Sequence, residues 1–347
     1  MRISKGIRKG LSELLINMVF LSGCVNLPNI YKPNLTADSP AYKSAVFENL
    51  KKTEKSSKDL QQITESFYVL NSTTPYNPYF NIQTFQQDSN KIAYLKWRTK
   101  SPKEVLIYLN GLESHSGWFS EPAQKLAERG IVTYGLDRRG SGLNTRLNGN
   151  SKDWIVDVDK IIKIANKENP DCDINIASLC FGARLASSYA IEHPNQIDSL
   201  IYISPGFEMN VGPGPLEIMS IFLDVIGIQT NTQSPIKKDE LFTLNPFYLQ
   251  FISNDKLRTL APSSDDYLDG QKLLEKVKKN FYKIQIPSLI LLGKKDKIIN
   301  NQKTKKILER LGKKPQFIEY DSQHTIFFES EDILNKFVED IYKFLRK

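Results

Sequence analysis

Cysteine and histidine are scarce in this chain, and their scarcity excludes whole classes of site. The 347 residues contain only three cysteines and three histidines, and no group of them has the spacing of metal ligands. We therefore predict no metal site and no cofactor. Cys172 and Cys180 flank a strand-like segment that would hold them roughly 26 Å apart, which rules out a disulfide between them.

Long hydrophobic runs and concentrated positive charge are also lacking. The formal net charge is +8, but the basic residues are scattered and accompany no nucleic-acid-binding motif. This mild excess suits an anionic membrane surface better than a nucleic-acid groove, so we expect no nucleic-acid partner. The length and the 40% hydrophobic content fit one globular domain with an insertion, and the oligomeric state is left open.

The N-terminus has the three parts of a secretory signal. A cationic stretch over residues 2–9 precedes the short apolar core Leu14–Phe20 and the tetrapeptide Leu21–Cys24. The apolar core is too short to span a bilayer permanently. Leu-Ser-Gly-Cys resembles the bacterial lipobox, which implies that Cys24 carries a lipid and begins the mature chain.

Three regions follow from this signal. We predict a lipoprotein signal peptide over residues 1–23, a lipidated Cys24 with a polar tether over 24–75, and a folded domain over 76–347. The lipid would make the protein a bacterial membrane-anchored lipoprotein on the extracytoplasmic side, either periplasmic or at the cell surface. The alternative is a cytosolic protein whose N-terminus forms an amphipathic helix.

The pentapeptide Ser178–Gly182 is the most informative motif. Residues 173–177 before it have the pattern of a buried strand, and residues 183–190 after it have the pattern of a helix. In a sharp turn from strand to helix, the central side chain projects alone above the sheet, and a glycine two positions later lets the helix pack closely. Cys180 and Gly182 occupy those positions. We interpret Cys180 as a nucleophile; the alternative is a buried cysteine that only packs.

Candidate partners follow Cys180 in the order acid, then histidine. Asp296 comes just after the apolar segment 288–293, and His324 follows another strand-like segment, 316–320. Loops at the carboxyl ends of parallel strands meet at one edge of a sheet, so the three side chains can converge. A loop aspartate is usually a solvated charge, and a lone loop histidine usually does no chemistry. Their order and their placement after successive strands favour a catalytic triad instead.

A backbone oxyanion hole is predicted on two loops. The strand-like segment 105–109 leads into Asn110 and Gly111, and a glycine there lets a backbone amide turn towards the nucleophile. A second amide comes from the start of the helix after Cys180, where amides lack helical partners. We therefore assign the N–H groups of Leu112 and Phe181 as the oxyanion donors.

Together these motifs resemble the monoacylglycerol lipase and lysophospholipase branch of the α/β-hydrolases, also called serine-aminopeptidase-like. Asn110–Gly117 is similar to the family's oxyanion loop, His-Gly-x-Gly-Glu-His-Ser-Gly, and Asp137–Gly142 to its Asp-x-x-Gly-x-Gly turn. The resemblance covers residues 77–347. It implies an α/β-hydrolase fold, with a mostly parallel central sheet flanked by helices, and a helical cap over about 206–282 inserted after the sixth strand.

Three residues depart from the family pattern. Cys180 replaces a serine, and Ser178 replaces the first glycine of the strand-to-helix turn, which is called the nucleophile elbow. Asn110 replaces the histidine before Gly111, which predicts disturbed bracing of the oxyanion loop. The cysteine changes the chemistry most, because a thiolate beside an imidazole is a strong nucleophile and would form a thioester with the acyl group.

We therefore expect an extracytoplasmic acyl hydrolase that acts on lipid-type carboxylic esters, such as monoacylglycerols or lysophospholipids, through a thioacyl-enzyme. Two alternatives stay open. The thioacyl group could pass to an alcohol or amine acceptor, which would make the protein an acyltransferase. Otherwise the chain keeps the fold without catalysis and serves as a lipid-binding lipoprotein.

Pro215–Ile226, within the cap, is predicted to be a helix with a broad apolar surface. This surface would line an acyl-chain pocket or contact a membrane; the alternative is simple packing on the core domain. Aromatic residues in segments 245–247 and 279–282 add apolar character to the same region. They favour a hydrophobic substrate without identifying one.

The other candidate titratable residues receive structural interpretations. His115, in the oxyanion loop, is predicted to be a structural or acceptor-side residue, and His193 a surface histidine at the end of a helix. Asp137 follows an early strand, in the wrong order for the acid of a triad, so we predict that it braces a loop. Asp157 and Asp159 lie on a predicted helix and are expected to be solvated charges.

Overall fold

The computed structural model describes residues 80–228, 230 and 233–347, so the predicted signal peptide, Cys24 and the tether lie outside the described residues. Within this part of the chain, eight strands form one sheet. The strands are β1 Phe80–Gln87, β2 Asn90–Trp97, β3 Glu104–Leu109, β4 Ile131–Leu136, β5 Asp173–Leu179, β6 Ser199–Ile203, β7 Ser288–Gly293 and β8 Gln316–Tyr320. The α-helices are α1 Ser120–Ala127, α2 Ser151–Glu168, α3 Gly182–Glu192, α4 Pro215–Val225, α5 Pro246–Asn254, α6 Ser264–Asn280, α7 Asn301–Leu308 and α8 Glu331–Leu345.

The sheet is mostly parallel. Its spatial order is β1-β2-β4-β3-β5-β6-β7-β8. β2 pairs antiparallel with both β1 and β4, whereas every neighbouring pair from β4 to β8 is parallel. Strands β3, β4, β6 and β7 are buried along their whole length, as expected for apolar strands covered on both faces. The loops that follow β3 to β8 therefore all leave from one edge of the sheet.

Helices on both faces of the sheet create two cores. On one face Trp154 of α2 and Tyr189 of α3 are buried, and on the other Leu126 of α1 and Phe337 of α8 are buried. Three helices, α4 to α6, lie between β6 and β7 and form the cap. The predicted fold class is confirmed, including the position of the cap after the sixth strand. No helix in the described ranges combines the length and the apolar character that a bilayer crossing requires.

One sequence-based expectation about α2 is wrong. Asp157 is not solvated but almost completely buried, and its carboxylate accepts two hydrogen bonds from Arg139, at 2.8 Å from Nε and 2.9 Å from Nη2. Asp159, by contrast, is partly exposed and pairs with Lys163 at 2.6 Å. The position of Asp157 on a helix does not reveal that its carboxylate faces the buried Arg139, which lies in the turn after β4. This pair joins α2 to the turn after β4.

Replacing Asp157 with asparagine should cost about 3 kcal/mol of unfolding free energy, because the buried guanidinium of Arg139 loses the carboxylate that it pairs with most closely. Asp159→Asn is the matched control and should cost about 1 kcal/mol or less, since its ion pair is exposed. Urea denaturation of both variants provides the measurement. Equal losses of unfolding free energy in the two variants would show that the buried ion pair contributes no more than the exposed one.

Candidate active site

The turn between β5 and α3 has the geometry of a nucleophile elbow. Cys180 has φ +49°, a left-handed conformation that is rare for a residue with a side chain. Its N–H donates to the carbonyl of Ile203 at 3.0 Å, and its own carbonyl accepts from Gly206 and Ala183. A Cβ at Gly182 would lie 2.5 Å from the carbonyl oxygen of Leu109, so only glycine fits there. The helix can therefore start directly behind the buried thiol.

The acid and the histidine predicted from the sequence meet beside this turn. His324 Nδ1–H donates to Oδ2 of Asp296 at 2.8 Å, and both side chains are buried. The other oxygen of Asp296 accepts from the amides of Ile298 and Ile299, at 2.8 and 3.0 Å. The carboxylate is thus held from both sides. Because Asp296 occupies Nδ1, Nε2 is the nitrogen left to interact with Cys180.

The environment of His324 favours the imidazolium. Burial disfavours the charged ring, but the carboxylate of Asp296 and the thiolate of Cys180 outweigh burial and raise the pKa of His324 to about 10. Both neighbours also count among its hydrogen-bond partners. A ring that holds a proton beside the thiol suits a cysteine nucleophile, because the thiolate is the form that attacks.

Ser204 positions the histidine from a third strand, a role that the sequence did not suggest. It follows β6 directly, has φ +41°, and its hydroxyl donates to the carbonyl of His324 at 2.7 Å. Its N–H donates to Leu291 on β7. The only signal in the sequence was a small hydroxyl residue at the end of a strand beside the elbow.

The two residues predicted to donate to the oxyanion, Leu112 and Phe181, line the same cavity as Cys180. Within the described residues, neither the amide of Leu112 nor that of Phe181 donates a hydrogen bond to another protein group. Arg138 supports both residues, since Nη2 donates to the carbonyl of Leu112 at 3.2 Å and the guanidinium lies 5.1 Å from the ring centroid of Phe181. Sequence reasoning missed Arg138, although it stands in the Asp-x-x-Gly-x-Gly turn.

Asn110 braces the oxyanion loop, so the expectation of disturbed bracing is wrong. Its Nδ2 donates to the carbonyls of Gly111 and Ser114, at 2.9 and 2.6 Å, and to Oγ of Ser141 at 3.2 Å. A side-chain amide with two N–H groups is well suited to gather several oxygens at one turn. The loop also closes on itself, because Gly111 N–H donates to Oγ of Ser114 at 2.9 Å.

Asp137 has the loop-bracing role that was predicted for it. Its two oxygens accept from the amides of Ser116, at 2.6 Å, and Leu143, at 2.9 Å. The carboxylate therefore ties the end of the oxyanion loop to the turn after β4. His193, predicted to lie on the surface, is half-buried and stacks on Tyr189 with ring centroids 4.5 Å apart.

Two buried charge pairs connect the oxyanion loop to the cap. His115 Nε2 lies 3.0 Å from Oδ2 of Asp255, which also accepts from the indole N–H of Trp118 at 2.6 Å. Burial opposes protonation of His115, but Asp255 outweighs it, so the pKa of His115 is raised. Of the two roles predicted for His115, the structural one describes these contacts. Glu113 forms the second pair, with Arg258 at 2.7 Å.

A cavity of about 390 Å³ lies between the elbow, the oxyanion loop and the cap. Cys180 and His324 both line it. Its apolar lining residues include Leu179, Val211, Ile221, Ile236, Phe242 and Leu268. This volume and this lining are typical of a pocket for a small or medium-sized apolar ligand.

The cap helix α4 is divided between this cavity and solvent. Ile221 is its one buried residue and lines the cavity, whereas Leu216 and Met219 are 83% and 55% exposed. Simple packing on the core domain, the alternative considered for this helix, is not what the described residues display. Ile221 instead lines the cavity, and the apolar side chains of Leu216 and Met219 face outward.

Among the described residues, Cys172 and the possible metal ligands form no second centre. Cys172 and Cys180 are both free thiols. In the portion of the chain that the structure describes, no three histidine, cysteine or acidic side chains come together as a metal site would require. The chemistry available at the elbow is therefore that of a thiol, an imidazole, a carboxylate and two backbone amides.

This sheet, elbow and cap define an α/β-hydrolase. A family model described as serine aminopeptidase, S33, matches residues 100–331. The chain belongs to that family. The match includes Cys180, Asp296 and His324, together with the oxyanion loop.

Similar proteins include lipases of monoacylglycerols. A monoacylglycerol lipase of Mycolicibacterium smegmatis is 22% identical over 130 residues, which are 36% of this chain and 46% of that protein. A monoglyceride lipase homolog of monkeypox virus is 22% identical over 225 residues, 62% of this chain and 79% of that protein. The crystal structure of a soluble variant of monoglyceride lipase from Saccharomyces cerevisiae superposes with a TM-score of 0.69 at 18% identity, covering 79% of this chain and 98% of that one. The likeness to this solved structure concerns the fold.

The raised pKa of His324 predicts a pH-dependent stability. Because the ring binds its proton more tightly in the folded state, its contribution is fully present below its unfolded pKa of about 6.5 and is lost as the pH rises through about 10. Across this pH window the unfolding free energy of the wild type should fall more than that of His324→Asn. The expected difference is at least about 1.4 kcal/mol, the free energy that corresponds to a pKa shift of one unit.

Urea denaturation at a series of pH values measures this difference. His193→Asn serves as the control because His193 lies at the far end of α3 from the elbow, and it should follow the wild-type profile. Parallel profiles for the wild type and His324→Asn would contradict the raised pKa of His324.

Proposed function

We propose that the protein hydrolyses lipid-type carboxylic esters, of the monoacylglycerol or lysophospholipid kind, with Cys180 as the nucleophile. The observation that carries this proposal is the buried pair of His324 and Asp296, joined at 2.8 Å beside a cysteine on a strained elbow. Strained backbone of this kind persists where function requires it. The cavity in front of the thiol provides room for a substrate.

The attacking state of the site has the proton of the Cys180 thiol on Nε2 of His324, whose raised pKa favours this imidazolium form. The Cys180 thiolate attacks the ester carbonyl, and the N–H groups of Leu112 and Phe181 stabilise the charge that develops on the carbonyl oxygen. As the tetrahedral intermediate collapses, the imidazolium donates its proton to the departing alkoxide. The alcohol leaves, and the acyl group is held as a thioester on Cys180.

The second half of the reaction releases the acid. His324, now neutral, accepts a proton from water while the water oxygen attacks the thioester carbonyl. The second tetrahedral intermediate expels the Cys180 thiolate, and the carboxylic acid leaves. Asp296 keeps the ring oriented and stabilises its positive charge in both halves.

Three observations support a lipid-type ester as the substrate. The cavity is lined mainly by apolar side chains, which suits an acyl chain. The exposed apolar residues of α4 could contact a lipid surface beside the cavity. Two similar proteins carry monoacylglycerol or monoglyceride lipase names.

Replacing Cys180 with alanine should lower kcat/KM more than about a thousandfold, because no other group at the elbow can form the acyl intermediate. Cys172→Ser is the matched control and should retain wild-type turnover, since Cys172 precedes the opposite end of β5. The substrates are monoacylglycerols, lysophospholipids and short aryl esters.

Mass spectrometry of the reaction mixture tests the intermediate and its fate. Incubation with a thiol-directed acyl probe should add one acyl group at Cys180. Absence of turnover in the wild type, with no adduct on its Cys180 thiol, would exclude the enzyme and favour a lipid-binding role. Unchanged turnover in Cys180→Ala would instead exclude Cys180 as the nucleophile. Repetition with an alcohol acceptor separates hydrolysis from transfer, since a new ester would identify an acyltransferase.

We also propose that a lipid on Cys24 anchors the enzyme to a membrane on its extracytoplasmic side. This part of the proposal rests on the order of charge, apolar core and Leu-Ser-Gly-Cys at the N-terminus. An anchored enzyme would meet lipid substrates at the surface where they reside.

Expression of the full chain in a bacterium with labelled fatty acid tests the anchor. We expect label on the wild type and recovery of the protein in the membrane fraction, because the acyl chains partition into the bilayer. Cys24→Ser should lack label and stay unprocessed, while Cys172→Ser should behave as the wild type. Unlabelled wild-type protein in the cytosolic fraction would overturn this proposal.

A further inference from the structure

Arg184 places a buried cation at the substrate cavity. It lies in the first turn of α3, four residues after Cys180, and both residues line the cavity. The arginine is only 8% exposed. A charge at this depth normally requires an opposite charge beside it, because burial removes its solvation by water.

The partners of Arg184 are all uncharged. Nε donates to the carbonyl of Gly206 at 2.8 Å, Nη1 to the carbonyl of Gly270 at 3.3 Å, and Nη2 lies 3.5 Å from the sulfur of Met209. The guanidinium also lies 5.5 Å from the ring centroid of Phe181. Two carbonyls, a thioether and an aromatic face orient the cation without neutralising it.

Other deeply buried arginines of this protein are paired differently. Arg139 binds the carboxylate of Asp157 at 2.8 Å, and Arg258 binds that of Glu113 at 2.7 Å. Within the described ranges, Arg184 forms no ion pair with any carboxylate. A thioether is a weak acceptor, so Nη2 retains the capacity to bind a stronger one.

The nearby acidic groups are already engaged. Glu113 lines the cavity but is held by Arg258, and Glu275 accepts from the side-chain amide of Gln271 at 3.2 Å. Cys180 and Glu208 interact with Arg184 electrostatically but form no hydrogen bond with it among the described residues, and Glu208 binds Lys278 at 2.6 Å. Burial lowers the pKa of Arg184 to about 10, so the side chain is still a cation at neutral pH. The cavity therefore presents, close to the thiol, a positive charge that no carboxylate of the described residues pairs with.

We propose that Arg184 determines substrate specificity by binding an oxyanion, a carboxylate or a phosphate, carried by the substrate near its scissile ester bond. This inference rests on the proposed function for its substrate, but the anion site itself depends only on the cavity. Guanidinium is suited to both anions, because its N–H groups match the spacing of their oxygens. The substrate would then be an acidic ester with an apolar chain.

Alkylation of Cys180 tests the anion site without requiring turnover. Iodoacetate and iodoacetamide differ in charge but form the same bond to sulfur and release the same iodide. Peptide mass spectrometry gives the rate ratio of iodoacetate to iodoacetamide at Cys180. Cys172 is the internal reference, since its nearby charged groups, Glu104, Asp171 and Asp173, are acidic.

We expect the rate ratio at Cys180 to exceed that at Cys172 by about tenfold or more, as a focused positive charge would produce. Arg184→Met should remove most of this preference, and Arg184→Lys should keep much of it. Equal ratios in the wild type and Arg184→Met would overturn the proposal. If Arg184→Met fails to fold, Arg184→Gln is measured in its place, because the protonated His324 beside Cys180 also attracts iodoacetate and the wild-type ratio alone does not isolate Arg184. A ratio in that variant equal to the wild-type ratio overturns the proposal.

Two matched ester pairs then distinguish the source of the anion. Palmitoyl lysophosphatidic acid and monopalmitoylglycerol differ by a phosphate on the alcohol side. The 4-nitrophenyl esters of succinate and butyrate differ by a carboxylate on the acyl side. Arg184→Met should lower the ratio of kcat/KM for the acidic over the neutral ester about tenfold or more in one pair.

The pair that responds identifies where the substrate carries its charge. Unchanged ratios in both pairs, with turnover of the neutral esters intact, would overturn the specificity proposal and leave the proposed hydrolase activity standing. Absence of turnover for all four esters in the wild type would instead count against the hydrolase, while the alkylation ratio would still decide whether the anion site exists.

Discussion

The left-handed backbone at Cys180 is the constraint on which the rest of the site depends. Holding a residue with a side chain at φ +49° costs about 1 to 3 kcal/mol, and hydrogen bonds to Ile203 and Gly206 maintain it. Both partners belong to the end of β6 and the loop after it. The same loop carries Ser204, whose hydroxyl holds the backbone of His324. One short segment therefore holds both the backbone of Cys180 and that of His324.

The oxyanion loop is shared between the core domain and the cap. Asn110 and Asp137 brace it from the side of the sheet, while His115 and Glu113 pair with Asp255 and Arg258 from the side of the cap. The carboxylates of Asp255 and Glu113 would each be costly to bury without a partner, so the cap and the loop stabilise each other. The cap is consequently part of the catalytic framework as well as a cover over the substrate cavity.

Much of the fold and the core of the site could be predicted from local pattern. Buried strands, the turn at Cys180 and the order of Asp296 and His324 each leave a signal within a few residues. The pairs His115–Asp255 and Glu113–Arg258 leave none, because their members are 140 and 145 residues apart and meet only through the insertion of the cap. Asp157 and Arg139 are only 18 residues apart, but one lies on α2 and the other in the turn after β4, so helical periodicity does not reveal that they meet. Arg184 looked like an ordinary helical residue, and only its surroundings make it unusual.

The two charge pairs also divide the cap into a fixed half and a freer half. The stretch around Asp255 and Arg258 cannot move away without separating buried opposite charges, each separation costing about 3 to 5 kcal/mol. Helix α4 has only Ile221 buried, and its Glu217 pairs with a largely exposed Lys237. Ile221 and Cys180 line the same cavity, so a displacement of α4 would widen the cavity and leave the His115–Asp255 and Glu113–Arg258 pairs in place. Substrate could thus enter and leave beside α4 while Cys180, Asp296 and His324 keep their positions.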